Sequence, residues 1–192
     1  MHDVSGWLPI PLALLLVLGW YLSFSASRLD RLHHRVESSR AALDTQLVRR
    51  AAAAIEAAQV LDPSSGLLLA DAAAEAMAAG EGDDSRLDDS TMDRPLGREE
   101  AENELSRALH AALDDADHVA RLRSEALAAD ALDVLRQACE RVQLARRFHN
   151  DAVAQAQRVR RKRVVRWAWL AGRARMPEMF EIDDSIPGGL VR

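Results

Sequence analysis

"SRLDRLHHRVESSRAALDTQLVRRAAAAIEAAQVL", Ser27 to Leu61, decides the fold. Leu29, Leu32, Val36, Leu43, Leu47, Ala54 and Leu61 fall on one stripe of a helix with 3.6 residues per turn. No proline or glycine interrupts the stretch before "DPSSG", Asp62 to Gly66. There Asp62 suits a helix N-cap and Pro63 the first helical position, so a second helix opens and "LLLADAAAEAMAA" carries it to about Ala79.

The remaining elements follow the same logic. "GEGDDSRLDDSTMDRPLG", Gly80 to Gly97, is acidic, contains glycine and lacks apolar periodicity, which predicts a mobile loop. A third helix begins near Arg98, with Glu99, Glu100 and Glu102 suiting a helix N-terminus. A break is expected around Asp114–Asp117. The longest helix, "SEALAADALDVLRQACERVQLARRFHNDAVAQAQRV", lines its stripe with Leu127, Ala131, Leu135, Cys139, Val142, Ala145, Ala152 and Ala156. The tail after Gly172 reads as irregular, and "DDSIPGGLVR" as disordered.

Composition agrees with an all-α fold. Apolar residues make up 48% of the 192, yet aromatics only 4%, because alanine dominates. Alanine is the best helix former and fills little space, so long, closely packed helices are expected. No segment alternates with period two. The single cysteine, Cys139, excludes an internal disulfide and sits on an apolar stripe, where a buried, inert thiol is expected.

Trp7 to Phe24, "WLPIPLALLLVLGWYLSF", carries no charged side chain. At 1.5 Å per residue it is roughly long enough to cross a hydrocarbon core of about 30 Å. Pro9 and Pro11 stand at its beginning, and Trp7, Trp20 and Tyr21 toward its ends, as in an interfacial belt. A cleaved signal peptide would need a basic leader, but the first six residues hold Asp3 and no Lys or Arg. Arg28, Arg31 and Arg35 follow the stretch instead, which predicts an uncleaved anchor with the N-terminus outside. The expected organisation is an outer N-terminus at 1–6, an anchor at 7–24, an antiparallel four-helix bundle at 28–171 with long first and last helices, and a tail at 172–192.

Four segments carry a resemblance. They are "RLHHRVESSRAALDTQLVRR" (Arg31–Arg50), "ENELSRAL" (Glu102–Leu109), "ARRFHNDAV" (Ala145–Val153) and "MPEMFE" (Met176–Glu181). In this order they resemble the LemA family of bacterial membrane-anchored helical proteins. The third segment is the most specific, similar to the family's Ala-Arg-x-x-Tyr-Asn-Asp-Ala-Val. The chain departs from the pattern with His149 in place of the tyrosine and Ile55 where a proline is frequent. It also lacks the Tyr-Pro-Asp break, and a basic run precedes the closing Pro-x-x-Phe-Glu. The resemblance implies a helical bundle on an N-terminal anchor in a divergent member, with no established enzymatic activity.

Two sets of residues stand out chemically. Arg158, Arg160, Arg161, Lys162, Arg163 and Arg166, with Trp167 and Trp169, form a basic run without an acid on a chain of net charge -5. Contact with an anionic membrane surface is the preferred reading. Nucleic acid would use the same charges, and a solvated helix end is the plain alternative. Arg50, Arg146 and His149 fall on or beside apolar stripes. Buried charge needs a partner, and Asp71 and Glu102 at the edges of the neighbouring stripes are the candidates for an interior polar network. His110, Asp114 and His118 have helical spacing but face away from Leu105 and Leu109, which predicts a solvated face rather than a metal site. No phosphate loop, H-E-x-x-H or catalytic triad pattern occurs, so no catalytic residue, metal or cofactor is expected.

The sequence therefore predicts a non-catalytic membrane-tethered scaffold at the inner face of a bacterial membrane. Its expected partners are lipid and an unidentified protein, a second copy of itself included, with no nucleic acid and no small-molecule substrate. The alternatives are a regulatory module of a membrane enzyme or protease and, ranked after it, a nucleic-acid-binding protein using the basic run at 158–175.

Overall fold

A computed structural model describes residues 9–84, 97–161 and 176–191. Its helices are α1 (Pro9–Ala58), α2 (Pro63–Asp84), α3 (Arg98–Leu113), α4 (Ala116–Leu122) and α5 (Ala126–Arg160). A short 3-10 turn, Gly188–Leu190, closes the chain. Among the described residues there is no strand.

The stop between α1 and α2 has the chemistry the sequence predicts. The Asp62 carboxylate accepts from the Ser64 hydroxyl at 2.6 Å and from the Ser65 amide at 3.0 Å, capping α2. These two bonds, the hydroxyl's first, hold the Asp62 carboxyl down to about 2. Gly66 then passes against the end of α1, where a Cβ would lie 2.4 Å from the Ala58 carbonyl oxygen. Gly66→Ala therefore forces a backbone shift. Its strain of about 1–3 kcal/mol exceeds the helix-propensity gain of about 1 kcal/mol, so the melting temperature should fall. Thermal unfolding followed by circular dichroism measures this; an unchanged or higher melting temperature would mean the α1–α2 corner is loose.

One helix boundary differs from expectation. α2 continues through Gly80 to Asp84 rather than stopping at Ala79. Of the expected mobile loop at 80–97, residues 85–96 lie outside the described residues. The break expected around Asp114–Asp117 is present: α3 ends at Leu113, and Asp115 caps α4 by accepting from the Asp117 and His118 amides. Among the described residues five helices therefore stand where four and an anchor were expected.

Of the expected anchor at 7–24, residues 7–8 and most side chains lie outside the described residues. Its backbone is helical from Pro9, and residues 1–6 lie outside the described residues as well. Among the described residues no helix is long and apolar enough to cross a membrane.

The chain divides into two compact units, Met1–Ser38 with Asn150–Met179, and Ser39–His149 with Phe180–Arg192. In the first, Ala152, Val153 and Ala156 of α5 are buried. Arg35 donates to Gln155 at 3.5 Å, and Gln157 donates to the Pro177 carbonyl at 2.8 Å.

The second unit holds the larger core. Ala51, Ala54 and Ala57 of α1 and Ala73 and Ala76 of α2 meet Leu105, Leu109 and Leu113 of α3 and Leu132 and Leu135 of α5. Small residues on α1 and α2 against leucines on α3 and α5 let the helices approach closely while keeping the interior filled. A second cluster joins Leu43 and Leu47 of α1, Val142 of α5, and Phe180 and Ile182 of the tail. The tail is thus packed, not disordered: the sequence "DDSIPGGLV" is ordered and buries Leu190 against α3 and α4. Gly189 permits this, since a Cβ there would lie 2.5 Å from the Leu113 carbonyl oxygen.

Candidate functional site

The most polar part of the second unit's interior centres on Glu102. Its carboxylate is 1% exposed and lies between two arginines. Arg50 Nη2 donates to Glu102 Oε2 at 2.7 Å, and Arg98 Nε donates to Oε1 at 3.2 Å. Arg50 also donates to the Glu102 carbonyl at 3.2 Å and to Ser106 Oγ at 3.1 Å. Arg50 is held there because its Cα lies on the same α1 stripe as Leu43, Leu47 and Ala54, which faces α3. Arg98 and Glu102 are one helical turn apart on α3, the spacing that brings side chains together. Two guanidiniums share one carboxylate, and Arg50 Nε and Arg98 Nη2 are buried with no acceptor among the described residues. Such a cluster carries a desolvation cost, and both Glu102 oxygens are taken by N–H groups.

Above this cluster the tail runs as an extended strap along α3. Glu181 N donates to Glu99 Oε1 at 2.8 Å and Asp183 N to Asn103 Oδ1 at 2.7 Å. The Asp183 carbonyl lies 2.5 Å from Ser106 Oγ, Ser185 Oγ lies 2.9 Å from His110 Nε2, and Gly188 N donates to Asp114 Oδ1 at 2.8 Å. The two segments keep step because their lengths match. Seven extended residues at about 3.3 Å and fifteen helical residues at 1.5 Å both cover roughly 23 Å. α5 holds the other side: Gln143 donates to the Asp184 carbonyl at 2.7 Å, and Arg146 grips the Asp184 carboxylate through Nε at 2.7 Å and Nη2 at 2.9 Å. A lone extended segment has no neighbouring strand to satisfy its backbone, so side chains from two helices do it.

The electrostatics follow these bonds. The Gly188 amide, then His110, holds the Asp114 carboxyl below its ordinary range. The Ser185 hydroxyl and amide do the same for Asp183. Burial pushes the Cys139 thiol up. For a depressed carboxyl, the stabilisation is complete above the unfolded-state value of about 3.9 and is lost as pH falls through the folded value. The strap should therefore hold at neutral pH and loosen below about pH 4. Hydrogen exchange should then show the Ser185 and Gly188 amides losing protection before those of α3; simultaneous loss would mean the strap and helix open as one.

The predicted site residues separate into three places. Arg50 and Glu102 meet directly. Arg146 belongs to the strap, not to the Arg50 cluster, and His149 is buried with Nδ1 3.2 Å from Ser39 Oγ. Asp71 is exposed and stands outside the network, on the rim of an open groove of about 480 Å³ between α2 and α3. Of the basic run, Arg158 and Arg161 are exposed and Arg160 is buried, while Lys162, Arg163, Arg166, Trp167 and Trp169 lie outside the described residues. Asp114 is exposed as expected, while His110 is half-buried beside the strap. Arg98, Ser106 and Asp184 were missed. The four-residue spacing of Arg98, Glu102 and Ser106 is a signal that could have found the first two.

Comparison with known protein families, with curated proteins and with solved structures gave no match for this chain.

Proposed function

We propose that the chain is a membrane-anchored, non-catalytic helical scaffold of the LemA type, holding protein partners at the inner face of a bacterial membrane. One observation carries the reading. From Pro9 on, the charge-free, tryptophan-bearing stretch at 7–24 is part of α1, which is continuous from Pro9 to Ala58. In this reading the stretch crosses the bilayer, the N-terminus is outside, and the four longer helices make an antiparallel bundle at the cytoplasmic surface. The basic run then adds about 1 kcal/mol of attraction per charge near an anionic leaflet, with Trp167 and Trp169 in the headgroup layer. Tethering makes that second contact intramolecular, so weak intrinsic affinity suffices.

The full chain should remain in membranes after alkaline washing, and its intact mass should include Met1–Phe24. A mature N-terminus near Ser25 or Ser27 overturns the anchor and moves the helical domain outside. Crosslinking in intact cells followed by mass spectrometry should return recurrent protein neighbours; recovery of the chain without any would overturn the scaffold role.

A further inference from the structure

α5 presents an apolar stripe that its own unit leaves uncovered. Leu127, Val134, Leu144 and Phe148 are exposed, Leu127 at 82% and Phe148 at 60%, although Leu127 was expected in the core. Leu127, Val134, Arg141 and Phe148 recur every seven residues, with Asp130, Gln137 and Leu144 at the alternate position of the same heptad. Such spacing on a 35-residue helix suits the seam of a two-helix contact. Beside it lies a groove of about 260 Å³ between α5 and α1, with Ala42 and Ala145 among its lining and the large side chains Leu144 and Phe148 at its edge. Gln46 Oε1 is buried in this groove wall with no donor among the described residues.

We infer that this surface pairs with a second copy of the chain, α5 against α5 in antiparallel orientation. The patch is self-complementary: it carries both the projecting side chains, Phe148 and Leu144, and the hollow left by Ala42 and Ala145. A two-fold contact requires that property. Charge selects the orientation. Glu140 and Arg147 occupy the same flanking position of successive heptads, and both are exposed. In the antiparallel register that sets Arg141 against the second copy's Leu144, Gln137 meets the second copy's Phe148. Glu140 then faces the second copy's Arg147, twice by symmetry. A parallel pairing sets Glu140 opposite Ala145 and makes no ion pair. Arg141 and Gln137 also bring N–H donors to the seam, where the buried Gln46 oxygen lacks one.

This inference rests on the reading of the chain as an interaction protein and supplies its partner. The test uses the full chain in membranes of producing cells. Leu144→Cys, close to the two-fold axis, should give a disulfide-linked dimer on mild oxidation, whereas Arg107→Cys on the exposed face of α3 should not. Adding Arg147→Glu to Leu144→Cys should lower the linked fraction roughly tenfold by setting acid against acid, and further adding Glu140→Arg should restore it. All four positions are exposed, so folding is preserved. No dimer above the Arg107→Cys level, adducts only with foreign proteins, or no rescue by the charge exchange would each overturn self-pairing. Foreign adducts would leave the scaffold reading standing, so the two failures are distinguishable.

Discussion

Glu102→Ala should lower the melting temperature by roughly 10 °C, the largest effect of any single polar substitution in this chain. The reason is not the strength of one ion pair. Glu102 is the carboxylate between Arg50 and Arg98, which are 2% and 6% exposed. Removing it leaves two guanidiniums in the interior without a counter-charge, a loss of about 3–5 kcal/mol for a broken buried pair. In a chain of this size each kcal/mol moves the midpoint by about 2–4 °C. The triple replacement Arg50→Met, Arg98→Met, Glu102→Leu removes the charges together with their desolvation cost. It should melt much closer to the parent than Glu102→Ala does. Calorimetry on the three proteins decides the matter. If Glu102→Ala melts within about 2 °C of the parent, water reaches the arginines and the cluster is not a buried one.

The ease with which Arg50 and Glu102 were found, and the difficulty of finding the strap, have the same physical origin. Arg50 interrupts an apolar stripe, and a charge on such a stripe must be paired, so the sequence exposes the problem and Glu102 offers the solution. Helix ends were equally legible where a local side chain sets them, as Asp62 does for α2 and the Asp114–Asp115 pair does between α3 and α4. The strap has no such local signature. "EIDDSIPGGL" lacks helical or alternating periodicity, and its backbone partners, Glu99, Asn103 and Asp114, sit on a helix some eighty residues away in sequence. For the same reason Arg146 was placed with Asp71 and Glu102 as its candidate partners, when its partner is Asp184 of a segment expected to be disordered. Leu127 was misplaced because Ala128 and Leu132 are the residues that this part of α5 buries, which turns Leu127 outward.

Phe180→Ala should release the strap while the helices remain. The Phe180 ring is 2% exposed and packs among Leu43, Leu47, Val142 and Ile182. The Arg40 guanidinium carbon stands 4.7 Å from the ring centroid, a cation–π contact. Truncating a buried phenylalanine costs about 3–5 kcal/mol. Most of that loss falls on the strap, because the helices keep the separate cluster around Leu105, Leu109 and Leu135. Hydrogen exchange should therefore show the Glu181, Asp183 and Ser185 amides exposed in Phe180→Ala, with α3 and α5 amides still protected. The effect should also reach the interior. Ser106 Oγ accepts from Arg50 and lies 2.5 Å from the Asp183 carbonyl, so strap release deprives it of a partner beside the Arg50–Glu102 pair. Phe180→Ala and Glu102→Ala should then fail to add, with an interaction energy of about 0.5–3 kcal/mol, as groups sharing one network do. Strict additivity, or full protection of the Asp183 amide in Phe180→Ala, would show that the polar ladder alone holds the strap and that Phe180 only fills space.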